Sequence, residues 1–523
     1  MACLRPLSLL AALLLAAHTA PLLAQLPPLT VPKGHWRAEI TGNLQTASQR
    51  YRNGSKEDLA FDFERDNLGS NFFPALIPAD SLLRKIAGFD DARIGLGATS
   101  ASWSVTTGTA GVGLAYGLFS RLTLSVNIPI IRQKVRSTFL LDPELSNSGF
   151  NPADPQFGSA AGQSQTAQFF AQFGGAMTVL QERIASGVYD ADPAQKALAE
   201  QTLAAGSILR DDLFALILGG GTASPFLPTV TSVVGNTIRG KVSALQGTLE
   251  GLGVTSFTTN VVLPANVVDQ ENFEAFISNQ SGPVAGSLST PSLSSLGDIE
   301  IGAAFSIIDQ LGQSGVRRGV RLAAQGLFRV RTSSLDNPSR FFDVGTGDRQ
   351  PDVEGSVVGD GVLGMFGARA MAGYTLQLAG AARKRISPPD LPIAYFNTMA
   401  DVSRTPGNIM TFGVAPFVRL ADNFAVTGGL TYRKKASDQV SLAPGQAEIP
   451  GAPASLLEID TEGSWTTAAL GLTFSAPLLT KDGKISTPLD AGLLWEGIVS
   501  SSGALRVPAT AGVRFWFRLY GKL

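Results

Sequence analysis

The sequence predicts an all-β fold, an antiparallel transmembrane β-barrel of about twelve strands that carries a partly helical insert. Three observations lead there: a two-residue periodicity that recurs along the chain, an alternation of short turns with long loops, and a scarcity of charge. The stretch YGLFSRLTLSVNIPII (116–131) shows the periodicity. One face carries Leu122, Leu124, Val126, Ile128 and Ile130, and the other carries Thr123, Ser125, Asn127 and Pro129. Strict alternation marks a strand whose two faces meet different surroundings. In a soluble sandwich the apolar face meets a core; in a membrane barrel it meets lipid while the polar face lines a lumen.

Composition favours the barrel. Of 523 residues only 16% are charged, against about 25% in an average soluble protein. Hydrophobic content is an ordinary 44% and glycine is abundant, which suits strands that face lipid on one side only. A net charge of −1 gives no sign of a nucleic-acid partner. Residues 1–24 read as a signal peptide: Arg5 supplies the positive region, LLAALLLAA the apolar stretch, and LLA before Gln25 a cleavage site. The single cysteine, Cys3, lies on the wrong side of that stretch for a lipoprotein and would leave with it, so the mature chain would hold neither disulfide nor thiolate metal site. No later apolar run reaches the roughly 18 residues that a membrane helix needs.

The turns come in two kinds. Short ones are YGLFSRL (116–122), MAGYTLQ (371–377), RLADNFAV (419–426) and the longer APLLTKDGKIST (476–487). Long segments rich in Gly, Pro, Ser and Asp occupy about 48–102, 140–295, 334–357, 388–405 and 438–462. This rhythm fits a barrel with a tight periplasmic end and an elaborated outer end. Rising strands then fall at about 35–47, 121–139, 317–333, 375–387, 423–437 and 487–500. Falling strands fall at about 103–117, 296–309, 357–373, 406–420, 461–475 and 504–518. Twelve is even, as closure of an antiparallel barrel normally requires; DLAFDFER (58–65) also alternates and would raise the number to fourteen. The first part of the barrel is thus 25–139, the insert 140–295, and the remainder 296–523.

The faces agree from strand to strand. Ile299, Ile301, Ala303, Phe305 and Ile307 oppose Asp298, Glu300, Gly302, Ala304 and Ser306, and Val513, Phe515, Phe517 and Leu519 oppose Gly512, Arg514, Trp516 and Arg518. Tyr116, Tyr374 and Tyr520 fall near the expected periplasmic rim, where an aromatic girdle belongs. The insert departs from strand periodicity. Residues 165–186 and 192–218 are helix-compatible, with Asp192 as N-cap, Pro193 at the first helical position, and Gly219 to Gly221 as the stop. The insert either plugs the mouth or stands over it as an ordered cap.

Chemistry has little to work with. The histidines are His18, within the signal peptide, and His35, at the start of the first strand. A serine–histidine site, as in an outer-membrane phospholipase, needs a histidine beside a serine on the wall. GVGLAYG (111–117) lacks the glycine spacing and following helix of a nucleotide loop. No cofactor and no metal is implied, and the chain reads as a non-enzyme. Lumen-facing charges are the informative set. By alternation they are Arg321, Arg329, Arg331, Arg383, Arg385, Arg433, Arg514 and Arg518, with Asp298, Glu300, Asp490 and Glu496. Rings of charge tune selectivity in a pore, or pair across it and hold the wall together.

Two segments resemble a known family. YGLFSRLTLSVNIPI and SLGDIEIGAAFSI are similar to the first hairpin and the following strand of outer-membrane transporters of the "meta-pathway of phenol degradation" type. The resemblance implies a β-barrel channel engaged in uptake of hydrophobic or aromatic compounds. The chain departs from that pattern in its long insert and in its YGKL ending, for which Phe515 and Phe517 are the nearest substitutes for a terminal aromatic. The expectation is an outer-membrane channel for small, hydrophobic or aromatic solutes, with membrane lipid, the solute and the barrel assembly machinery as partners. Its rival is a closed barrel that serves structure or surface interaction without transport.

Overall fold

The computed structural model describes residues 29–219, 223–289, 292–311, 317–421, 423–475 and 489–522. The proposed signal peptide and the turn at 476–487 lie outside them. Twelve strands form the wall: β1 (His35–Ala47), β2 (Ala98–Gly117), β3 (Leu122–Asp142), β4 (Ile299–Asp309), β5 (Arg318–Val330), β6 (Asp352–Leu363), β7 (Phe366–Gln377), β8 (Ile409–Arg419), β9 (Phe424–Lys435), β10 (Gly463–Ser475), β11 (Leu489–Ser502) and β12 (Ala511–Lys522). Each pairs antiparallel with its neighbours in sequence, and β1 closes the sheet by pairing with β12 from His35↔Lys522 to Thr46↔Ala511. The result is a closed twelve-stranded meander. The additional hairpin that would make fourteen strands is absent from it: Ser55–Asp58 pairs with Gln49–Arg52 in a small sheet beyond the wall, and Phe61–Phe63 is a 3₁₀ turn.

Alternation along each strand decides what the wall shows to each side. Leu124 is 45% exposed on the outer surface, while its neighbour Thr123 is 4% exposed on the inner one. Ile301, Phe305, Phe515, Phe517, Leu470 and Leu472 extend the outer apolar belt. Phe515 lies over Gly42 on the adjacent strand, in space that any Cβ would occupy.

One hairpin differs from its sequence reading. The turn between β6 and β7 is at Gly364 and Met365, not at MAGYTLQ (371–377), so 357–373 is two strands. Gly364 supplies the positive φ of +66° that the tight connection needs. This register sets Asp360 directly opposite Arg369, where both carboxylate oxygens accept from the guanidinium at 2.6 and 2.9 Å. The wall strand then ends at Gln377. Residues Gly380–Arg385 leave the barrel and join Met399–Thr405 and Gln439–Leu442 in a separate three-stranded sheet.

Over the long-loop end stands a cap of five helices: α1 (Ile77–Ala87), α2 (Ala160–Ala185), α3 (Pro193–Leu218), α4 (Val233–Gly251) and α5 (Gln270–Ser278). Ser159, Asp192, Ser232 and Asp269 cap α2 to α5 through their side-chain oxygens. Strands β2 and β3 outrun the other wall strands and carry an apolar inner face there: Trp103, Val105, Val135, Phe139 and Leu141. Those residues share one core with the cap. Phe139 stacks on Phe273 of α5 at 5.6 Å, and Phe73 meets Phe273 and Phe276 edge-on.

Truncating a buried phenylalanine costs about 3–5 kcal/mol. Phe273→Ala should therefore loosen the cap while the wall stays closed. The expected readout is faster amide exchange and proteolysis within residues 160–278, with amide protection of the wall strands unchanged.

Candidate functional site

The barrel interior is the candidate site. Inward residues of β1 to β7 and β12 enclose a cavity of about 330 Å³. Its walls mix small residues (Gly111, Gly113, Gly302) with charged ones (Arg37, Glu39, Glu300, Arg329, Glu354, Arg518). At the turn end the chain before β1 folds inward: Val31 N–H donates to the Thr123 hydroxyl at 2.7 Å, and the carbonyls of Val31 and Pro32 fill the space beside Gly117. At the long-loop end the apolar cap covers β2 and β3.

The charges form local clusters rather than open rings. Arg518 pairs with Glu39 at 2.8 Å toward the turn end, where Tyr520 also donates its hydroxyl to Asp490 at 2.5 Å. Arg321 meets Asp309 at 3.0 Å and Asp360 at 3.7 Å, so Asp360 serves both Arg321 and Arg369. Toward the long-loop end Arg329 is shared by Glu300 at 3.2 Å, Glu354 at 2.9 Å and Asp352 at 3.8 Å. Glu496 accepts from Arg514 and Gln45, both at 2.9 Å. Each guanidinium thus brings the carboxylates that a buried charge requires.

Of the residues singled out in the sequence, Glu300, Arg321, Arg329, Arg433, Asp490, Glu496, Arg514 and Arg518 lie on inward positions of the wall. Asp298 is buried just before β4, where it accepts from the N–H groups of Thr332 and Ser333 and pins the following loop. Arg331 is exposed beyond the end of β5. Arg383 is exposed and Arg385 buried, both in the sheet outside the wall, because β7 stops at Gln377. Tyr116 lies at the turn end with the outward residues of β2. Tyr520 is 5% exposed and faces inward. Tyr374 is outward, but near the long-loop end, since its hairpin turns at Gly364. Near the turn end His35 bonds the Lys33 carbonyl through Nδ1 at 3.0 Å. Among the described residues no group of three His, Cys, Asp or Glu side chains is placed to hold a metal.

Alternation could not reveal the pins that hold the loops over the mouth. Tyr395 donates to the Pro74 carbonyl at 2.9 Å, and Tyr51 to that of Val499 at 2.9 Å. Asp438, just past β9, accepts from Arg404 at 2.6 Å, from Lys435, and from the Gly407 N–H at 2.9 Å. Burial alone would raise the Asp438 carboxyl, but Arg404 and Lys435 outweigh it and hold it below the usual carboxylate range.

No family model matches the chain, and no curated protein matches it. Solved structures resemble it at low identity. An outer membrane channel from Pseudomonas putida F1 aligns at 8% identity over 94% of this chain and 97% of its own, with a TM-score of 0.39. The translocator domain of the autotransporter NalP from Neisseria meningitidis aligns at 5% identity over 94% and 90%, with a TM-score of 0.32. The Pseudomonas putida toluene transporter TodX aligns at 8% identity over 94% and 89%, with a TM-score of 0.24. Likeness at this level assigns no activity.

A carboxylate with a depressed pKa stabilises the fold above its unfolded value, about 3.9 for Asp, and that contribution is lost as pH falls through the folded value. The Met399–Thr405 sheet should therefore keep its amide protection down through pH 4 and lose it below. Asp438→Asn should lower protection at neutral pH and flatten the acid transition, as followed by hydrogen exchange.

Proposed function

We propose that the protein is an outer-membrane channel that admits small hydrophobic or aromatic solutes through a capped lumen. The observation that carries the reading is the combination of a closed wall, apolar outside and polar inside, with an interior chamber of about 330 Å³. Strands of 11 to 21 residues suffice to cross a bilayer, which needs about 9–11 residues per tilted strand. Closure satisfies the backbone without an edge, as lipid requires. The cap lies at the long-loop end, which is the outer end in this reading, and its apolar core runs without a break onto the inner face of β2 and β3. An apolar solute that partitions between cap and wall enters the chamber without displacing an ion pair. The similarity of two segments to transporters of the phenol meta-pathway type points to the same solute class.

The rival is a closed barrel that presents its insert to a surface partner. It draws support from the exposed Val188, Ile208, Phe214 and Val233 of the cap region.

Two measurements separate the readings. In proteoliposomes the full chain should speed entry of toluene while passing little steady ion current in planar bilayers. A variant lacking residues 150–285 should raise the ion current about ten-fold or more, since the interior of such a barrel is then open at that end. Toluene entry no faster than in empty liposomes, with unchanged current after the deletion, would establish the closed-barrel reading. Independently, Val126→Arg on the outer belt should cost about 2–4 kcal/mol when refolded into lipid; no cost would place that face away from the bilayer.

A further inference from the structure

A second, smaller cavity of about 80 Å³ lies at the long-loop mouth, apart from the chamber in the barrel. It is lined by the inner face of β2 at Trp103, the loop after β5 at Phe341, and the segment that leaves β7 through Arg385 and Ser387. Among the described residues, three buried donors on this lining lack partners. The Trp103 indole Nε1, one terminal nitrogen of Arg385 and the Ser387 hydroxyl bond to nothing, although these residues are only 7%, 4% and 3% exposed.

Arg385 is the unusual member. Its other terminal nitrogen donates to the carbonyls of Val284 at 2.8 Å and Ala394 at 2.5 Å, and its Nε to that of Pro338 at 3.4 Å. Among the described residues it forms no ion pair, whereas the acidic groups around the cavity are already engaged. Asp62 is held by Arg50 and Arg506, Asp336 pairs with Lys384 at 2.6 Å, and Asp343 accepts the N–H groups of Asn337 and Val344. Arg340 adds a further cation to the lining. Burial alone lowers the Arg385 guanidinium to about 10, with no neighbouring carboxylate to restore it. The guanidinium also sits 5.3 Å from the Phe341 ring, so the donors are bordered by flat apolar surface.

We infer that this cavity binds a small aromatic carboxylate, its carboxylate bonded by Arg385, Ser387 and Trp103 and its ring held against Phe341. Buried donors without acceptors are costly, and a two-oxygen anion supplies acceptors and the missing charge together. The cavity has about half of the roughly 150 Å³ that holds a whole benzene, so its 80 Å³ takes the carboxylate and the adjoining ring edge, and the rest of the ring would lie outside it. The inference deepens the channel reading and rests on it only for the route onward.

The test is calorimetric titration of the full chain in detergent micelles with benzoate, acetate and benzyl alcohol. Benzoate should bind, while acetate, which lacks the ring, and benzyl alcohol, which lacks the charge, should each bind about ten-fold more weakly. Ser387→Ala removes one donor with little change in shape, and Trp103→Phe removes the indole N–H together with part of a core ring; each should weaken benzoate about ten-fold. Arg385→Gln should abolish binding, and Arg385→Lys should keep part of it, which separates loss of charge from loss of the loop contacts. Absent benzoate binding, or binding indifferent to Ser387→Ala, Trp103→Phe and Arg385→Lys, would overturn the inference. Toluene entry into liposomes is read separately, so loss of the anion site with retained toluene flux defeats only this proposal. Retained binding without flux defeats only the channel.

Discussion

The pairing of β1 with β12 is the constraint on which the remaining structure depends. Once the first and last strands meet, no backbone edge remains, and every inward or outward position is fixed by parity. A slip of one residue anywhere would turn a strand's apolar set inward and its charges outward. The wall therefore has no freedom to relocate a misplaced charge. Arg321, Arg329, Arg514 and Arg518 are neutralised where they stand, which organises much of the interior as clusters such as Arg329 with Glu300, Glu354 and Asp352.

Size adds a second constraint. About eight strands leave an interior that side chains fill, and sixteen or more leave an aqueous channel. Twelve falls between. The intermediate space is divided by what enters it: the Val31–Pro32 backbone at the turn end, the paired charges along the wall, and the cap seated on Trp103 and Phe139. A chamber remains between them. The extra length of β2 and β3 is what joins cap to wall, because it carries apolar side chains on the inner face where the lower half carries Thr109, Gly111 and Gly113. One pair of strands thus changes the chemistry of its inner face along its length, from polar lumen to apolar core.

Alternation by itself makes most of the wall legible. It locates nine of the twelve wall strands closely and the last only in part (504–518 against Ala511–Lys522), and it separates outward Leu124 from inward Thr123 because a barrel imposes one rule on every strand. The hairpin of β6 and β7 shows where the rule ends. From Gly359 to Tyr374 small residues occupy both faces, so periodicity alone does not separate a turn at Gly364–Met365 from the one read at 371–377. The choice between them is made by long-range pairing: the Gly364 turn brings Asp360 opposite Arg369, an ion pair that single-strand periodicity cannot contain. The same blindness assigns Arg383 and Arg385 to the lumen. Residues 380–385 do alternate, but alternation says only that a strand has two faces and not which sheet it joins. The insert is readable as helix through Asp192 and Pro193, whereas its seat on β2 and β3 depends on phenylalanines that meet only in three dimensions.

The contrast between Arg385 and the wall arginines follows from these constraints. Arg321, Arg369 and Arg518 lie on regular strands, where a carboxylate on the neighbouring strand can be placed directly across the ladder. Arg385 ends a strand in a small sheet among loops, and its neighbours are backbone carbonyls from three separate segments. Carbonyls satisfy hydrogen bonds but carry no net charge, so the cation stays uncompensated however well it is bonded. A residue kept only to tie loops together could do so with a neutral amide, at no charge-burial cost. A buried cation with a free donor facing a cavity has its full electrostatic value only when an anion arrives. That difference in neutralisation, rather than sequence position or residue type, sets Arg385 apart from Arg321, Arg369 and Arg518.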